Sequence, residues 1–259
     1  MSTQELLQRF DAAVAKYIRP QTMPIGIKMV PAGEEPPAKA RQPKRDYGYR
    51  YAICQATTAA RKLGWTMAIG KEDLSCPPAL SYFGFRPRES YLTEGNLGYK
   101  MYNESLEAAS NYDNDDVLYF PEGKYDYFVV GPITRIDFDP DFVVVYGMPA
   151  QINRFIQARL WKDGGMMTSS FAGRGCAGWA VKTIETGECQ IVLPGNGERV
   201  FAHTQDHEMA FTIPLAKLEE IMVGLEGTHK GQVRYPITTW VNYEGVFPPH
   251  YRKLEDYWE

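Results

Sequence analysis

The sequence lacks the features that would place the protein in or beyond a membrane. It contains no apolar run near the roughly 20 residues that a membrane-spanning helix needs, and the opening segment MSTQELLQRF has no hydrophobic signal-peptide core. We therefore expect a cytoplasmic protein with no membrane partner. An excess of positive charge is also missing, because the net charge is −4, so we expect no nucleic-acid partner.

Cysteine and histidine are scarce, with four of each in 259 residues. A chain of this length buries an ordinary core without disulfides, so in a reducing compartment its cysteines are thiols, metal ligands or packing residues. No C-x-x-C, H-E-x-x-H or ferredoxin-type pattern occurs. This weakens the prediction of a zinc or iron–sulfur site, although cysteines that are distant in sequence can converge in a fold.

What the sequence does contain is an alternation of helical and strand patterns. Helical spacing of apolar residues predicts helices in STQELLQRFDAAVAKYI, PAQINRFIQARLW and PLAKLEEIMVGL. Strand patterns occur in PIGIKMV, YDYFVVGPI and DFVVVYGMP, and CQIVLPGNGERVFA is interpreted as two strands around a glycine turn. These elements predict an α+β fold with a central mixed β-sheet flanked by helices.

Two stretches of the chain share a spacing that suggests an internal duplication. Each has a Gln near a predicted helix start, a Gly at its end and a Cys 12 positions further on, as in Gly64 to Cys76 and Gly164 to Cys176. A duplication predicts two similar halves related by a pseudo-two-fold axis, whereas the alternative is a chance match of one interval.

The domain organisation follows from the same reading. We expect a single α+β domain over residues 1–259, with the candidate repeat halves at 20–130 and 131–225. The segment 226–259 is an aromatic and proline-rich C-terminal tail, which we interpret as packed rather than disordered.

Several segments, in their order, resemble the prokaryotic domain of unknown function 169. They are PIGIKMV, CQATTAARKLG, DLSCPPALSYFGF, VVGPI, DPDFVVVYGMPAQ, GRGCAGW and FTIP, and the resemblance covers most of residues 20–225. It implies no particular reaction. It implies that the characteristic motif positions of the family are occupied here by Cys54, Gln55, Cys76, Gly131, Pro132, Asp141, Pro149, Gln151 and Cys176.

Three cysteines are candidate site residues. Cys54 lies at a predicted helix start, where the helix dipole can lower a thiol pKa, so it is a candidate nucleophile, redox thiol or metal ligand; the alternative is a buried packing residue. Cys76 precedes two prolines in a rigid turn, Cys176 lies among glycines, and the family resemblance favours both as site residues. Cys54, Cys76 and Cys176 are therefore the candidate ligands of a thiolate-bound metal or iron–sulfur cluster, and strand-like Cys189 is interpreted as packing.

Two glutamines are candidate ligand-binding residues. Gln55 and Gln151 each place an amide beside the positive end of a predicted helix, where a small anionic molecule could be held between them. The alternative is that both only cap their helices. The family resemblance adds Pro149 and Gly131 to the ligand-binding candidates.

These observations lead to three hypotheses about function. The first is a cytoplasmic binding or accessory protein that holds a small anionic ligand or a thiolate-bound cofactor in a cleft lined by Cys and Gln at helix N-termini. The second is an enzyme of anaerobic metabolism that uses Cys54 as nucleophile or redox thiol. The third is an interaction subunit, in which the aromatic tail contacts a partner protein or a second copy of the chain. No sequence feature names the substrate.

Overall fold

The computed structural model describes residues 1–172 and 176–258, except for the side chains of 176, 177, 239 and 240. Six strands in this part of the chain form one antiparallel sheet. They are β1 Ile25–Pro31, β2 Met67–Gly70, β3 Tyr125–Pro132, β4 Phe142–Gly147, β5 Gln190–Val192 and β6 Met209–Pro214. Their order across the sheet is β2-β3-β1-β4-β6-β5, so the strands in the middle of the sheet come from distant parts of the sequence.

The prediction of a mixed sheet is wrong, because every neighbouring pair of strands is antiparallel. The strands predicted in the PIGIKMV, YDYFVVGPI and DFVVVYGMP segments are confirmed as β1, β3 and β4. All six residues of β4 are buried, because helices cover both faces of the sheet. A continuous apolar run thus follows from burial on both faces and does not by itself indicate a parallel sheet.

The three helices that apolar spacing predicted are confirmed. The first begins after Ser2, whose hydroxyl accepts a hydrogen bond from the backbone N–H of Glu5 at 3.2 Å. The helices are α1 Thr3–Tyr17, α2 Pro43–Tyr47, α3 Ile53–Thr58, α4 Pro77–Tyr82, α5 Ser90–Thr93, α6 Leu106–Asn111, α7 Pro149–Arg159, α8 Cys176–Thr186, α9 Asn196–Ala202, α10 Leu218–Lys230 and α11 Pro249–Arg252. A π-helical turn, Ala59–Leu63, extends α3.

Two hydrophobic cores lie on the two faces of the sheet. Helices α1, α7 and α10 pack against one face, which includes Val143 and Phe211. Helices α3, α4 and α8 pack against the other face, which includes Phe142 and Val144. Successive residues of β4 therefore alternate between the two cores, as the two-residue period of a strand requires.

The structure does not support the internal duplication in the alignment that the Gly-to-Cys spacing predicts. The two helices that the repeat would make equivalent, α3 and α7, pack on opposite faces of the sheet. A two-fold axis that relates two antiparallel neighbouring strands must be perpendicular to the sheet. Such an axis does not exchange the two faces, so two equivalent helices would pack on the same face. In addition, β2 follows α3, whereas the described residues 160–172 after α7 contain no strand. Over the described residues, the matching Gly-to-Cys intervals thus share a spacing but not a structure.

The C-terminal tail does not pack as predicted. Side chains from residue 231 onward are almost all exposed, including Tyr243 at 76%, Val246 at 90% and Tyr257 at 83%. Too few of its apolar residues reach the two cores to hold it there. Among the described residues, no helix is both long and apolar enough to span a bilayer.

Candidate functional site

A cavity of about 510 Å³ lies on the face of the sheet that carries α3 and α4. Four segments of the chain close it: the start of α3, the start of α4, the loop before α6 and the start of α9. We call it the thiol cavity because two cysteines line it. Its lining residues are Ala52, Cys54, Gln55, Ser75, Cys76, Pro77, Pro78, Tyr82, Leu97, Met101, Tyr102, Gly195, Asn196, Gly197, Glu198 and Phe201.

The start of α3 supplies Cys54 and Gln55. Ala52 is the N-cap in an extended conformation, and its backbone N–H donates to Oε1 of Gln55 at 2.7 Å. This is the glutamine half of a capping box, so Gln55 stabilises the helix start. The Cys54 thiol donates to the backbone carbonyl of Gly197 in α9, with 3.9 Å between Sγ and O. That contact links the two helix starts across the cavity.

The start of α4 supplies Cys76. This residue is the N-cap of the helix, and Pro77 and Pro78 occupy the first helical turn. Because proline fixes its own φ and restricts the preceding residue to extended conformations, the backbone position of Cys76 is held firmly. Cys54 and Cys76 thus line one cavity, and both are free thiols.

The start of α9 supplies Glu198, which is only 5% exposed. Gly195 is the N-cap, so the helix begins in the segment that was interpreted as a turn between two strands. The first of the two predicted strands is confirmed as β5, whereas the second is wrong, because this segment forms α9, which lies against α3. The hydroxyl of Tyr146 on β4 donates to Oε2 of Glu198 at 3.5 Å, a long hydrogen bond.

A fully buried arginine lies behind the cavity. Arg61, on the π-helical turn after α3, donates to both carboxylate oxygens of Glu208, at 2.5 and 3.0 Å. Its guanidinium also lies 4.1 Å from the centre of the Tyr146 ring. Buried charges of this kind need a partner, and Glu208 supplies it. Arg61 therefore holds Tyr146, which in turn contacts Glu198.

The pKa values of this cluster show which groups carry charge. Burial, followed by the nearby charge of Glu198 and then of Cys76, raises the pKa of Cys54 to about 12. Burial raises the pKa of Glu198 to about 7, against the opposing effect of Arg61. Burial also raises the pKa of Cys76. Both thiols are thus protonated at neutral pH, whereas Glu198 is close to half ionised.

These pKa values decide whether Cys54 is an activated nucleophile. The values of about 12 for Cys54 and about 7 for Glu198 differ by about five pH units. Moving the proton from the thiol to the carboxylate is therefore strongly unfavourable. The helix dipole, from which the sequence predicted a lowered pKa, is outweighed by burial and by the neighbouring carboxylate.

The other predicted ligand-binding residues lie away from the thiol cavity. Gln151 is buried, and its amide nitrogen donates to the backbone carbonyls of Ile18 and Arg19 at 2.9 and 2.7 Å. Pro149 is exposed at the first position of α7. Gly131 lies in β3, where a Cβ would come within 2.6 Å of Ile136, so close packing explains this glycine. The structure brings Gln55 together with Cys54 and Cys76, and places Gln151 on the opposite face of the sheet.

The structure gives no direct support for a metal centre. Within the described side chains, no group of three or more His, Cys, Asp or Glu residues is arranged to hold a metal ion. The predicted ligand Cys176 begins α8, but its side chain lies outside the described residues. Cys189 is 3% exposed and packs in the core on the α7 face, which confirms its interpretation as a packing residue.

Three polar residues of the site were not identified from the sequence: Glu198, Arg61 and Tyr146. Glu198 could have been found, because PGNGERVFA has Gly195 at an N-cap position and an acidic residue at the third helical position, a known helix-start signal. Arg61 and Tyr146 gave no comparable signal. Their contacts join residues 147 positions apart in the case of Arg61 and Glu208, and only the tertiary fold brings them together.

Comparison with known proteins shows similarity to a family of uncharacterised proteins. The family model named DUF169, described as "Uncharacterised ArCR", matches residues 13–224, which include every segment that lines the thiol cavity. A relative from Methanocaldococcus jannaschii, "Uncharacterized protein MJ0308", is 30% identical over 144 residues, or 55% of this chain and 61% of that protein. The chain thus covers less than two thirds of this relative's length. No solved structure matches the chain.

Proposed function

The chain belongs to the DUF169 family, and we propose that it binds a small, mainly apolar molecule in the thiol cavity. The observation that carries the proposal is the cavity itself, about 510 Å³ in volume and bounded by four separate segments of the chain. Cavities of a few hundred Å³ with apolar walls and a few polar groups are typical of small-molecule sites. The polar groups here are two thiols, an amide and a carboxyl group.

The walls of the cavity favour an apolar ligand. Tyr82, Leu97 and Phe201 line it, and its mouth is bordered by exposed apolar side chains such as Met101, which is 67% exposed. Exposed apolar side chains at the mouth of a cavity are typical of a binding surface. Among the described residues that line the cavity there is no Lys, Arg or His, so these residues do not favour the anionic ligand that the sequence suggested.

The protonation of the thiols supports binding rather than nucleophilic catalysis. A neutral Cys54, whose S–H donates to the carbonyl of Gly197, offers a ligand a polarizable sulfur and a weak acceptor. A reactive thiolate would need a positive charge to offset burial and the charge of Glu198. For this reason we favour a binding function over the hypothesis of Cys54 as a nucleophile or redox thiol.

The proposal is tested by filling the cavity. Gly197 lies in α9 at the cavity wall, and a Cβ there would make only ordinary contacts with Phe201, at 3.7 Å and beyond. We expect Gly197→Leu to fold and to occupy space that a ligand needs. The matched control is Gly178→Leu in α8, where a Cβ meets no atom within 4 Å and where the residue does not line the thiol cavity.

The measurement is the fluorescence of N-phenyl-1-naphthylamine, a neutral dye that brightens in apolar sites. We expect saturable one-to-one binding by the wild type and by Gly178→Leu, and at least about tenfold weaker binding by Gly197→Leu, since the added side chain displaces the dye. Native mass spectrometry of the purified protein then tests for a retained natural ligand. Equal dye binding by the two variants would rule out the thiol cavity as the binding site.

A further inference from the structure

Within the described residues, Glu198 is the buried carboxyl group of the cluster that has no ion-pair partner. Arg61 pairs with Glu208 through two hydrogen bonds. Arg199, on the same helix as Glu198, pairs with Asp206 at 3.1 Å and donates to the carbonyl of Pro194. Each arginine near Glu198 is thus already paired with another carboxylate.

The hydrogen bonding of Glu198 is equally incomplete. Its one hydrogen bond within the described residues is the long contact from the hydroxyl of Tyr146, at 3.5 Å. A buried carboxylate usually accepts several hydrogen bonds or pairs with a cation, because an unpaired charge away from water is costly. Glu198 lines the thiol cavity, so a bound molecule is in a position to supply the missing partner.

The other walls of the cavity suit a cation as well. The rings of Tyr82, Tyr102 and Phe201 line it, and aromatic faces attract organic cations. A bare metal ion fits less well, because the described side chains form no group of three metal-ligating residues and the cavity is much larger than an ion. The combination of one unpaired carboxylate, aromatic rings and apolar volume is typical of a site for an organic amine.

We propose that the ligand of the thiol cavity is an organic cation, an apolar molecule carrying a basic nitrogen that pairs with the carboxylate of Glu198. This inference rests on the proposed binding function and adds the chemical class of the ligand. The nitrogen lies against Glu198, and the apolar part of the ligand extends past the thiols of Cys54 and Cys76 towards the mouth at Met101.

The test compares three probes of nearly equal shape by isothermal titration calorimetry. Phenethylamine carries a positive charge, 2-phenylethanol is neutral and 3-phenylpropanoate carries a negative charge. We expect the wild type to bind the amine at least about tenfold more tightly than the alcohol, and the carboxylate most weakly, because only the amine completes the charge pair. Equal or tighter binding of the alcohol or the carboxylate overturns the inference, and this comparison needs no variant.

The variant Glu198→Gln locates the preference. Gln keeps the size of the side chain and an acceptor for Tyr146, so we expect the preference for the amine to disappear while the alcohol still binds. Glu185→Gln, which removes an exposed carboxylate on α8 outside the cavity, is the control and should keep the preference. An amine preference that survives in Glu198→Gln overturns the inference.

Failure of the inference is distinguishable from failure of the proposed function. If the neutral dye and 2-phenylethanol bind and Gly197→Leu blocks them, the binding function stands even when the amine has no advantage. If none of the three probes and no dye binds, both proposals fail. Tight binding of Zn²⁺ or Cu⁺ by the wild type, with loss of amine binding in its presence, would instead indicate a thiolate metal site and contradict the assignment to an organic cation.

Discussion

The starts of α3 and α7 have the same capping arrangement but different surroundings. In each helix, a Gln at the third position accepts a hydrogen bond from the backbone N–H of the N-cap residue, and both bonds are 2.7 Å long. Gln151 also donates two hydrogen bonds to backbone carbonyls of the segment after α1. In the described part of the chain, the amide nitrogen of Gln55 has no such acceptor, and Gln55 lines the thiol cavity.

The difference teaches that a capping motif does not indicate a ligand site. Gln151 uses its oxygen and both amide hydrogens within the protein, so it ties α7 to the end of α1 and has little capacity left for a ligand. Among the described residues, the amide nitrogen of Gln55 donates no hydrogen bond, and Gln55 lines the thiol cavity. Whether a capping glutamine is structural or available for binding depends on whether the surrounding tertiary structure provides acceptors for its amide hydrogens.

The largest expected effect is a loss of stability when Gln151, the glutamine that is fully hydrogen-bonded within the protein, is replaced. Gln151→Ala leaves two backbone carbonyls and one N–H without partners, and we expect a loss of about 4 kcal/mol in the free energy of unfolding. Gln55→Ala removes only a helix-capping bond beside a cavity, and we expect a loss of about 1 kcal/mol. Urea denaturation followed by circular dichroism measures both values. Similar losses in the two variants would contradict the distinction.

The pH dependence of stability tests Glu198, which lines the thiol cavity. The pKa of Glu198 is raised from 4.5 to about 7 in the folded protein. The folded state therefore holds this proton more tightly than the unfolded state, and stability is lost as the pH rises through about 7. Glu198→Gln cannot ionise, so its advantage in unfolding free energy over the wild type should grow by about 2.5 kcal/mol between pH 5 and pH 8.

Thermal and urea unfolding at a series of pH values measures the difference in unfolding free energy between Glu198→Gln and the wild type. The groups that act on Glu198 in the fold are Arg61, Tyr146, Arg199, Glu208 and Cys54, and the substitution leaves all of them in place. Glu185→Gln controls for the loss of one negative charge at the surface. A constant difference between Glu198→Gln and the wild type over this pH range would show that the carboxyl group does not titrate as described.

The smallest effect compares one cysteine from each side of the sheet. Cys189 is buried in the core on the α7 face, so Cys189→Ser should cost about 2 kcal/mol by burying a hydroxyl in an apolar site. Cys54→Ser should cost less than about 1 kcal/mol, since Cys54 is only partly buried and lines the thiol cavity, so its hydroxyl is not enclosed in an apolar core. It should also weaken retention of a ligand that contacts the thiol.

Melting temperatures and native mass spectrometry of the two serine variants separate these roles. Cys189→Ser is expected to keep whatever the protein retains, because it is distant from the thiol cavity. A Cys54→Ser protein that loses stability like Cys189→Ser and retains its ligand fully would identify Cys54 as a packing residue.

Part of the site was predictable because it depends on local chemistry. Cys54 and Gln55 lie at a helix start, and Cys76 lies before two prolines, as their neighbours in sequence indicated. The hypothesis that Cys54, Cys76 and Cys176 share one site with Gln55 and Gln151 stays a prediction: Cys54, Cys76 and Gln55 line the thiol cavity, Gln151 does not, and the side chain of Cys176 lies outside the described residues. The anion-binding role given to Gln151 drew on the same local signal, which cannot distinguish the two faces of the sheet.

The amino-acid sequence by itself determined β1, β3, β4 and β5 and the helices α1, α7 and α10, through apolar periodicity, and the helix starts at α1, α3 and α7, through capping residues. It did not predict the strand β2 or the helices α8 and α9. The tertiary structure decided the antiparallel order of the strands and the face on which each helix packs. It also decided that Arg61 pairs with Glu208 and that, among the described residues, Glu198 has no ion-pair partner. The reason is that periodicity and capping act over a few residues, whereas the partner of a buried charge is chosen by segments that are far apart in the chain.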